Sequence, residues 1–278
     1  MNTSRISLAA AILSIALMAG SLSADGTRSI IGTPSGTSYF MFEQFGGTWS
    51  DVEKSPLTAE DNNLCWAAAA SNVLQWTGWG QASGMTTADE YFAYYRDHWT
   101  NAGGSQDCAW QWWFNGVNAQ AGQEDWSQVD VPGGSFAPSV DFDQYYVHAE
   151  FSVAISATDR FLRQGYGTTL YLGNIHGGGH AITVWGDAYD AQTGDILGLW
   201  ITDSDDDKYN AEPPDTLRYY DVEYNYATWR LVNYYGTNDW HVLDVLALKP
   251  APESAPEPAS LLVLAIGGVA ILRRRRAL

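Results

Sequence analysis

A cysteine near the start of a predicted helix is the clearest candidate for a chemical role. Polar residues precede Cys65, and a run of strong helix formers follows it as far as Gly78. The pattern predicts that Cys65 lies at or just before the first turn of the helix. Unpaired backbone N–H groups and the helix dipole stabilise a thiolate there. Cys65 is therefore the candidate nucleophile.

The second cysteine, Cys108, lies in an aromatic segment with no obvious base beside it. We interpret it as a core residue. A disulfide between Cys65 and Cys108 is the alternative, since exported proteins often carry one. Such a bond would block nucleophilic chemistry at Cys65.

Of the five histidines, His180 has the context that suits a general base. It begins a predicted strand over residues 180–186, and the preceding glycines, Gly177–Gly179, leave room for a substrate backbone. A turn-rich connection follows, and a return strand ends at Asp203, so the two strands are predicted to form a hairpin.

Two aspartates at the end of this hairpin are candidates for orienting the histidine. Asp203 and Asp205 point to one face if extended structure continues through them. A turn centred between residues 191 and 192 places Asp203 opposite His180, and a turn one residue later places Asp205 there. In either register a carboxylate can hold the imidazole tautomer and stabilise its charged form.

Metal binding is the alternative use of these residues. The acidic run over residues 203–207 could be a solvated loop or a weak calcium site, but it lacks the glycine and terminal glutamate of the full calcium-loop pattern. His176 and His180 are four residues apart in a glycine-rich segment, whereas a zinc pair at that spacing needs a helix. We therefore predict no metal and no cofactor.

Both ends of the 278-residue chain have the composition of targeting segments. Residues 1–24 contain Arg5, an apolar stretch and small residues, the pattern of a cleavable signal peptide. Residues 251–278 contain a Pro/Glu linker, an apolar run over 259–272 and four arginines. That run is shorter than the roughly 20 residues of a membrane span. We expect a processed sorting tail with transient membrane association, and one folded domain over residues 25–250.

The C-terminal segment resembles the PEP-CTERM sorting signal of Gram-negative bacteria, through Pro256-Glu257-Pro258, the apolar run and the arginines. The resemblance implies removal of the tail by an exosortase-type processing enzyme. It also implies delivery to the cell surface or the extracellular polymer matrix.

The composition is strongly acidic and aromatic. Five of the 14 basic residues lie in the two end segments, whereas the chain holds 32 acidic residues. Such a charge repels nucleic acid phosphates, so no nucleic acid partner is expected. The 13 tryptophans and 16 tyrosines suit a dense core, but also subsites for peptides or sugars.

Three segments together resemble the IdeS/Mac cysteine endopeptidases, streptococcal immunoglobulin-cleaving enzymes of papain-like fold. The segments are Trp49–Lys54, Leu64–Trp76, and His180–Gly186 taken with Ile201–Asp205. Between Cys65 and His180 this chain is shorter than those enzymes and richer in Trp and Gly. Immunoglobulin cleavage is therefore not predicted.

The resemblance implies a role for each candidate residue. Lys54 and the backbone N–H of Cys65 would hold the oxyanion, and His180 would be the base. Asp203 would orient His180, and Asp205 would support it from nearby. A cation beside a developing oxyanion is physically sensible.

The sequence as a whole predicts an α+β, papain-like fold, with a helical part packed against a mostly antiparallel sheet. Helices are expected over residues 65–77, 86–98, 106–118 and 157–164, and strands over 168–173, 180–186, 198–203, 217–226 and 241–248.

The predicted function is an exported cysteine endopeptidase that hydrolyses a protein or peptide substrate through Cys65, His180 and an aspartate. The alternative is a surface or matrix-associated module that binds polysaccharide or peptide and keeps only a vestigial catalytic site.

Overall fold

The computed structural model describes residues 29–31, 38–55, 59–206, 215–225 and 227–252. Within them lie four α-helices and nine strands. The helices are α1 (Cys65–Thr77), α2 (Ala88–His98), α3 (Gln106–Asn115) and α4 (Ala154–Arg163). The strands are β1 (Ser29–Ile31), β2 (Ser38–Met41), β3 (Tyr146–Glu150), β4 (Gly167–Asn174), β5 (Gly179–Tyr189), β6 (Ile196–Thr202), β7 (Thr216–Asn225), β8 (Thr228–Leu231) and β9 (Trp240–Leu248).

Six strands form a closed antiparallel barrel. Strands β4 to β9 pair in chain order, and β9 returns to pair with β4. The short strands β1, β2 and β3 extend this sheet by pairing with β7, β5 and β9 respectively. Closure leaves no free edge between the six strands.

The predicted papain-like α+β fold, with a helical part packed against a mostly antiparallel sheet, is wrong. The described chain is mostly β: a closed six-stranded barrel accompanied by only four short helices. Closure depends on β8, a four-residue strand that pairs with both β7 and β9. Such a short segment carries almost no periodic signal, so the predicted strands lacked the member that closes the barrel.

The individual elements are closer to expectation than the architecture. Helix α1 has the predicted bounds and ends at Gly78, whose φ of 78° lies in the left-handed region. Helix α2 begins two residues later than predicted, because Thr87 and Glu90 form a capping box. Helix α3 ends at Asn115, three residues earlier than predicted, with Gly116 as its C-cap. The five predicted strands are observed within a few residues of their expected limits.

The core has two parts, and α1 packs into one of them. Four successive alanines, Ala67–Ala70, are buried and allow α1 to lie close to the sheet. The helices α1 to α3 share an aromatic cluster that includes fully buried tryptophans at 66, 110, 112 and 113. A second cluster fills the barrel. Burial of these large side chains fixes the position of the first turn of α1 against β5.

The targeting segments are largely outside the described residues. The predicted signal peptide, residues 1–24, and residues 253–278 of the predicted tail are among those not described. In the part of the chain that is described, none of the helices combines the length and the apolar character that crossing a bilayer requires.

Candidate active site

The candidate nucleophile, Cys65, lines a cleft of about 350 Å³. Cys65 is the first residue of α1, as predicted, and the N-cap residue Leu64 supplies no side-chain cap. The backbone N–H groups of the first turn therefore have no side-chain cap, and they point towards the N-terminal end of α1, where Cys65 lies. The cleft lining also includes Gly104, where a Cβ would come within 2.5 Å of the buried Trp66 ring.

His180 is the partner of this thiol. It is the second residue of β5, is only 5% exposed, and lines the same cleft as Cys65, whose pKa its charge lowers. The preceding glycines, Gly177 and Gly178, have φ values of 100° and 93°, which residues with a side chain rarely adopt. His180 Nε2 lies 2.6 Å from Asp203 Oδ1, which leaves Nδ1 to exchange a proton with the sulfur.

The charges around Cys65 favour a thiolate. Burial by itself would raise the pKa of the thiol. The charge and hydrogen bond of His180, the charge of Lys54 and the backbone N–H of Ala181 outweigh burial, so the pKa of Cys65 is lowered. The site therefore favours the reactive form of sulfur.

The same interactions hold a proton on the imidazole. Burial would lower the pKa of His180, but the charges of Asp203 and Cys65 and the hydrogen bonds to both raise it well above its ordinary value. A lowered thiol pKa beside a raised imidazole pKa favours a thiolate–imidazolium pair.

Asp203 is buried and carries the negative charge that stabilises this pair. Burial would raise its pKa, yet the charge and hydrogen bond of His180 and the hydroxyls of Tyr234 and Tyr235 lower it to about 2. Both hydroxyls donate to Oδ2. The backbone N–H of Asp205 donates to Oδ1 over 3.1 Å. Asp203 is thus ionised at neutral pH.

Lys54 brings a buried cation to the cleft. Its side chain is 1% exposed, and Nζ lies 2.8 Å from Asp205 Oδ1 and donates to the Asn62 carbonyl over 2.6 Å. The ammonium group thus makes one hydrogen bond and one ion pair here, out of three possible donors, and so keeps donor capacity for a ligand. Lys54 N also donates to the Ser204 carbonyl, which ties the two segments together.

Four of the five candidate residues, Lys54, Cys65, His180 and Asp205, line one cleft, and Asp203 contacts His180. The geometric reason given for the two aspartates was nevertheless wrong. Strand β6 ends at Thr202, and residues 204–206 form a turn, so extended structure does not continue through Asp203 and Asp205. Asp203 bonds to His180 from beyond the strand end. Asp205 lies 4.0 Å from His180 Nδ1 and pairs with Lys54.

Several residues of the site were not predicted. They are the two tyrosines on Asp203, the carbonyl of Asn62, the backbone N–H of Ala181, and the cleft residues Trp126 and Trp240. Tyr234 and Tyr235 lie in a turn-forming Asn-Tyr-Tyr-Gly segment. This pattern predicts a loop but does not predict which residues the loop contacts.

The second cysteine, Cys108, is not among the residues that line the cleft. Cys65 and Cys108 are both free thiols, so the alternative of a disulfide between them is not realised. Burial and the charge of Asp107 raise the pKa of Cys108 to about 11. Cys108 is a buried residue of α3, as its aromatic surroundings predicted.

Two groups of possible metal ligands occur among the described residues, with ligand atoms within 4.8 Å of one another. One is His148, Glu150 and Asp244; the other is Asp51, Glu53 and Asp206. Neither includes Cys65 or His180.

No protein-family model matches the chain, and no curated protein is significantly similar to it.

Proposed function

We propose that this protein is a cysteine endopeptidase that hydrolyses peptide bonds with Cys65 as nucleophile. The observation that carries the proposal is that Cys65 and His180 line one cleft, and that His180 Nε2 lies 2.6 Å from Asp203 Oδ1. Thiol, imidazole and carboxylate in this order are the parts of a nucleophilic acyl-transfer site. The likeness of three segments to IdeS/Mac endopeptidases supports the same activity.

The proposed reaction has two stages. The Cys65 thiolate attacks the carbonyl carbon of the substrate, and the negative oxygen is stabilised by Lys54 Nζ and the backbone N–H of Cys65. The imidazolium of His180 then gives its proton to the leaving amine as the C–N bond breaks. His180 next takes a proton from water, which attacks the acyl-enzyme and releases the acid and the thiolate.

The end segments support a proposal about location. We propose that the protein is exported and reaches the cell surface or the extracellular polymer matrix, after processing of the tail by an exosortase-type enzyme. The signal-peptide pattern and the order of linker, apolar run and arginines carry this part of the proposal. The substrate would then be an extracellular protein or peptide.

A thiol-directed peptide electrophile tests the enzymatic proposal. We expect the parent protein to form one covalent adduct, at Cys65, and to cleave members of a denatured-protein library. Cys65→Ala should lose both properties, whereas Cys108→Ala should keep them. Mass spectrometry of the intact and digested protein locates the adduct. Equal cleavage by the parent and Cys65→Ala would refute the proposal.

The exposed aromatic surface of the cleft favours one alternative, a peptide- or polysaccharide-binding module. Trp126 is 37% exposed and lines the cleft together with Trp240, and such rings stack on sugars and apolar side chains. Saturable glycan binding by both the parent and Cys65→Ala, without cleavage by either, would favour the module over the peptidase.

A further inference from the structure

The turn between β8 and β9 delivers two tyrosine hydroxyls to one carboxylate oxygen. Tyr234 and Tyr235 both donate to Asp203 Oδ2, the second over 2.7 Å, while Oδ1 faces His180. Oδ1 also has two donors, His180 Nε2 and the backbone N–H of Asp205, so the two phenols complete the four acceptor sites of the carboxylate. The two hydroxyls therefore help to set how the negative charge of Asp203 is shared between its two oxygens.

The two tyrosines differ in their surroundings. Tyr234 is fully buried and contacts the rings of Tyr220 and Trp240, so it belongs to the core of the barrel. Tyr235 is 44% exposed and lines the cleft. Its φ of 51° places it in the left-handed region, which is unusual for an aromatic residue. Unusual backbone held at a cleft is a reason to look for a functional role.

We propose that Tyr235 is a positioning residue that sets the basicity of His180 through Asp203. The proposal rests on the proposed acyl-transfer function of this site. By donating to Oδ2, the hydroxyl of Tyr235 draws negative charge away from Oδ1 and weakens its pull on the imidazolium proton. His180 then remains acidic enough to protonate the leaving amine, while the imidazole stays fixed against the thiolate.

The direction of the pH effect follows from this role. Loss of the Tyr235 hydroxyl leaves more charge on Oδ1, so the imidazolium is held more strongly and the pKa of His180 rises further. The imidazolium then loses its proton at a higher pH, so the upper pH limit of activity, above which kcat/KM falls, moves to higher pH. Proton transfer from the imidazolium to the leaving group becomes slower. Loss of folded protein would lower the amount of active enzyme without moving that limit.

Tyr235→Phe, which removes only the hydroxyl, tests the proposal in the purified protein. Two profiles are measured between pH 4 and 10: kcat/KM for a cleaved peptide, and the rate of Cys65 alkylation by iodoacetamide. We expect kcat/KM to fall about tenfold, the effect of one hydrogen bond to a charged group. The upper limit of the kcat/KM profile should rise by about half a pH unit.

Matched variants complete the experiment. Tyr224→Phe alters an equally exposed tyrosine on β7, outside the cleft, and should leave both profiles unchanged. Incorporation of 3-fluorotyrosine at position 235 keeps the hydroxyl and should restore kcat/KM. An unchanged profile in folded Tyr235→Phe, or a lower rate without any displacement of the limit, would overturn the proposal.

The two readouts separate this proposal from the proposed function. The alkylation profile needs no substrate, and a shift of it in Tyr235→Phe supports the positioning role even if the parent cleaves no peptide. Cleavage by the parent together with identical profiles in the two proteins would leave the peptidase intact and refute the role of Tyr235.

Discussion

Two cysteines lie in the first turns of two helices, yet their chemistry is opposite. Cys65 is the first residue of α1, and Cys108 is the third residue of α3. The pKa of Cys65 is lowered, whereas that of Cys108 is raised to about 11. A thiol near a helix N-terminus is therefore not made reactive by that position alone.

The difference comes from the side chains that face each sulfur. Burial is the largest effect on both thiols, and it raises the pKa of both. At Cys65 the positive charges of His180 and Lys54 reverse this effect. At Cys108 the neighbouring charge is the carboxylate of Asp107, which adds to it. In a buried setting, the sign of the adjacent charges outweighs the partial charge of the helix.

Replacing His180 should have the largest effect, because it removes the main interaction that distinguishes the two thiols. In His180→Ala, burial then dominates at Cys65, and its pKa should rise above that of an ordinary thiol. We expect the rate of alkylation of Cys65 at pH 6 to fall by about 100-fold, the change produced by a rise of two pKa units. Peptide hydrolysis should be lost.

His148→Ala is the control, since His148 is half exposed on β3 and lies outside the cleft. It should alkylate at the parental rate. Parental alkylation in folded His180→Ala would show that the helix terminus and Lys54 activate Cys65 without His180. The charge of His180 would then not explain why the two cysteines differ.

Replacing Lys54 should have the next largest effect. Lys54→Met removes a positive charge near Cys65 and the proposed side-chain donor to the oxyanion, so kcat/KM should fall by about 100-fold. The variant also leaves the carboxylate of Asp205 without its ammonium partner, so its melting temperature should fall. Lys249→Met, at a partly exposed lysine outside the cleft, controls for loss of charge alone.

The double variant Lys54→Met/Asp205→Asn separates these two roles. Removal of both charges should recover melting temperature, because no carboxylate is left without its lysine. Activity should remain low, because the donor to the oxyanion is still missing. Recovery of activity together with stability would mean that Lys54 only neutralises Asp205.

The sequence could predict the local structure around Cys65 and His180. It could not predict the contacts between distant residues that complete the site. The start of α1 at Cys65 follows from adjacent polar and helix-forming residues, and the strand at His180 follows from its glycines and its alternating pattern. Both signals lie within a few residues of the side chain concerned. For the same reason the helices and the main strands were predicted close to their observed limits.

The contacts that complete the site join residues far apart in the chain. Tyr235 reaches Asp203 from a turn that begins beyond β8, and β8 itself closes the barrel with only four residues. A strand this short has too few positions to display a period of two. The barrel closure and the hydroxyl pair on Asp203 therefore have no local signature, and both were missed.

Replacing Asp107 should have the smallest effect, because its charge is a lesser cause than burial of the raised pKa of Cys108. Asp107→Asn removes the negative charge but preserves a hydrogen-bonding group beside Ser105. Because burial is the larger cause, the pKa of Cys108 should fall by less than one unit. At pH 9.5, in a Cys65→Ala background, alkylation of Cys108 should accelerate by about threefold.

Asp97→Asn, at an exposed position on α2, should change nothing. Alkylation of Cys108 at neutral pH as fast as that of Cys65 would mean that charge alone separates the two thiols, and that burial contributes little to their difference.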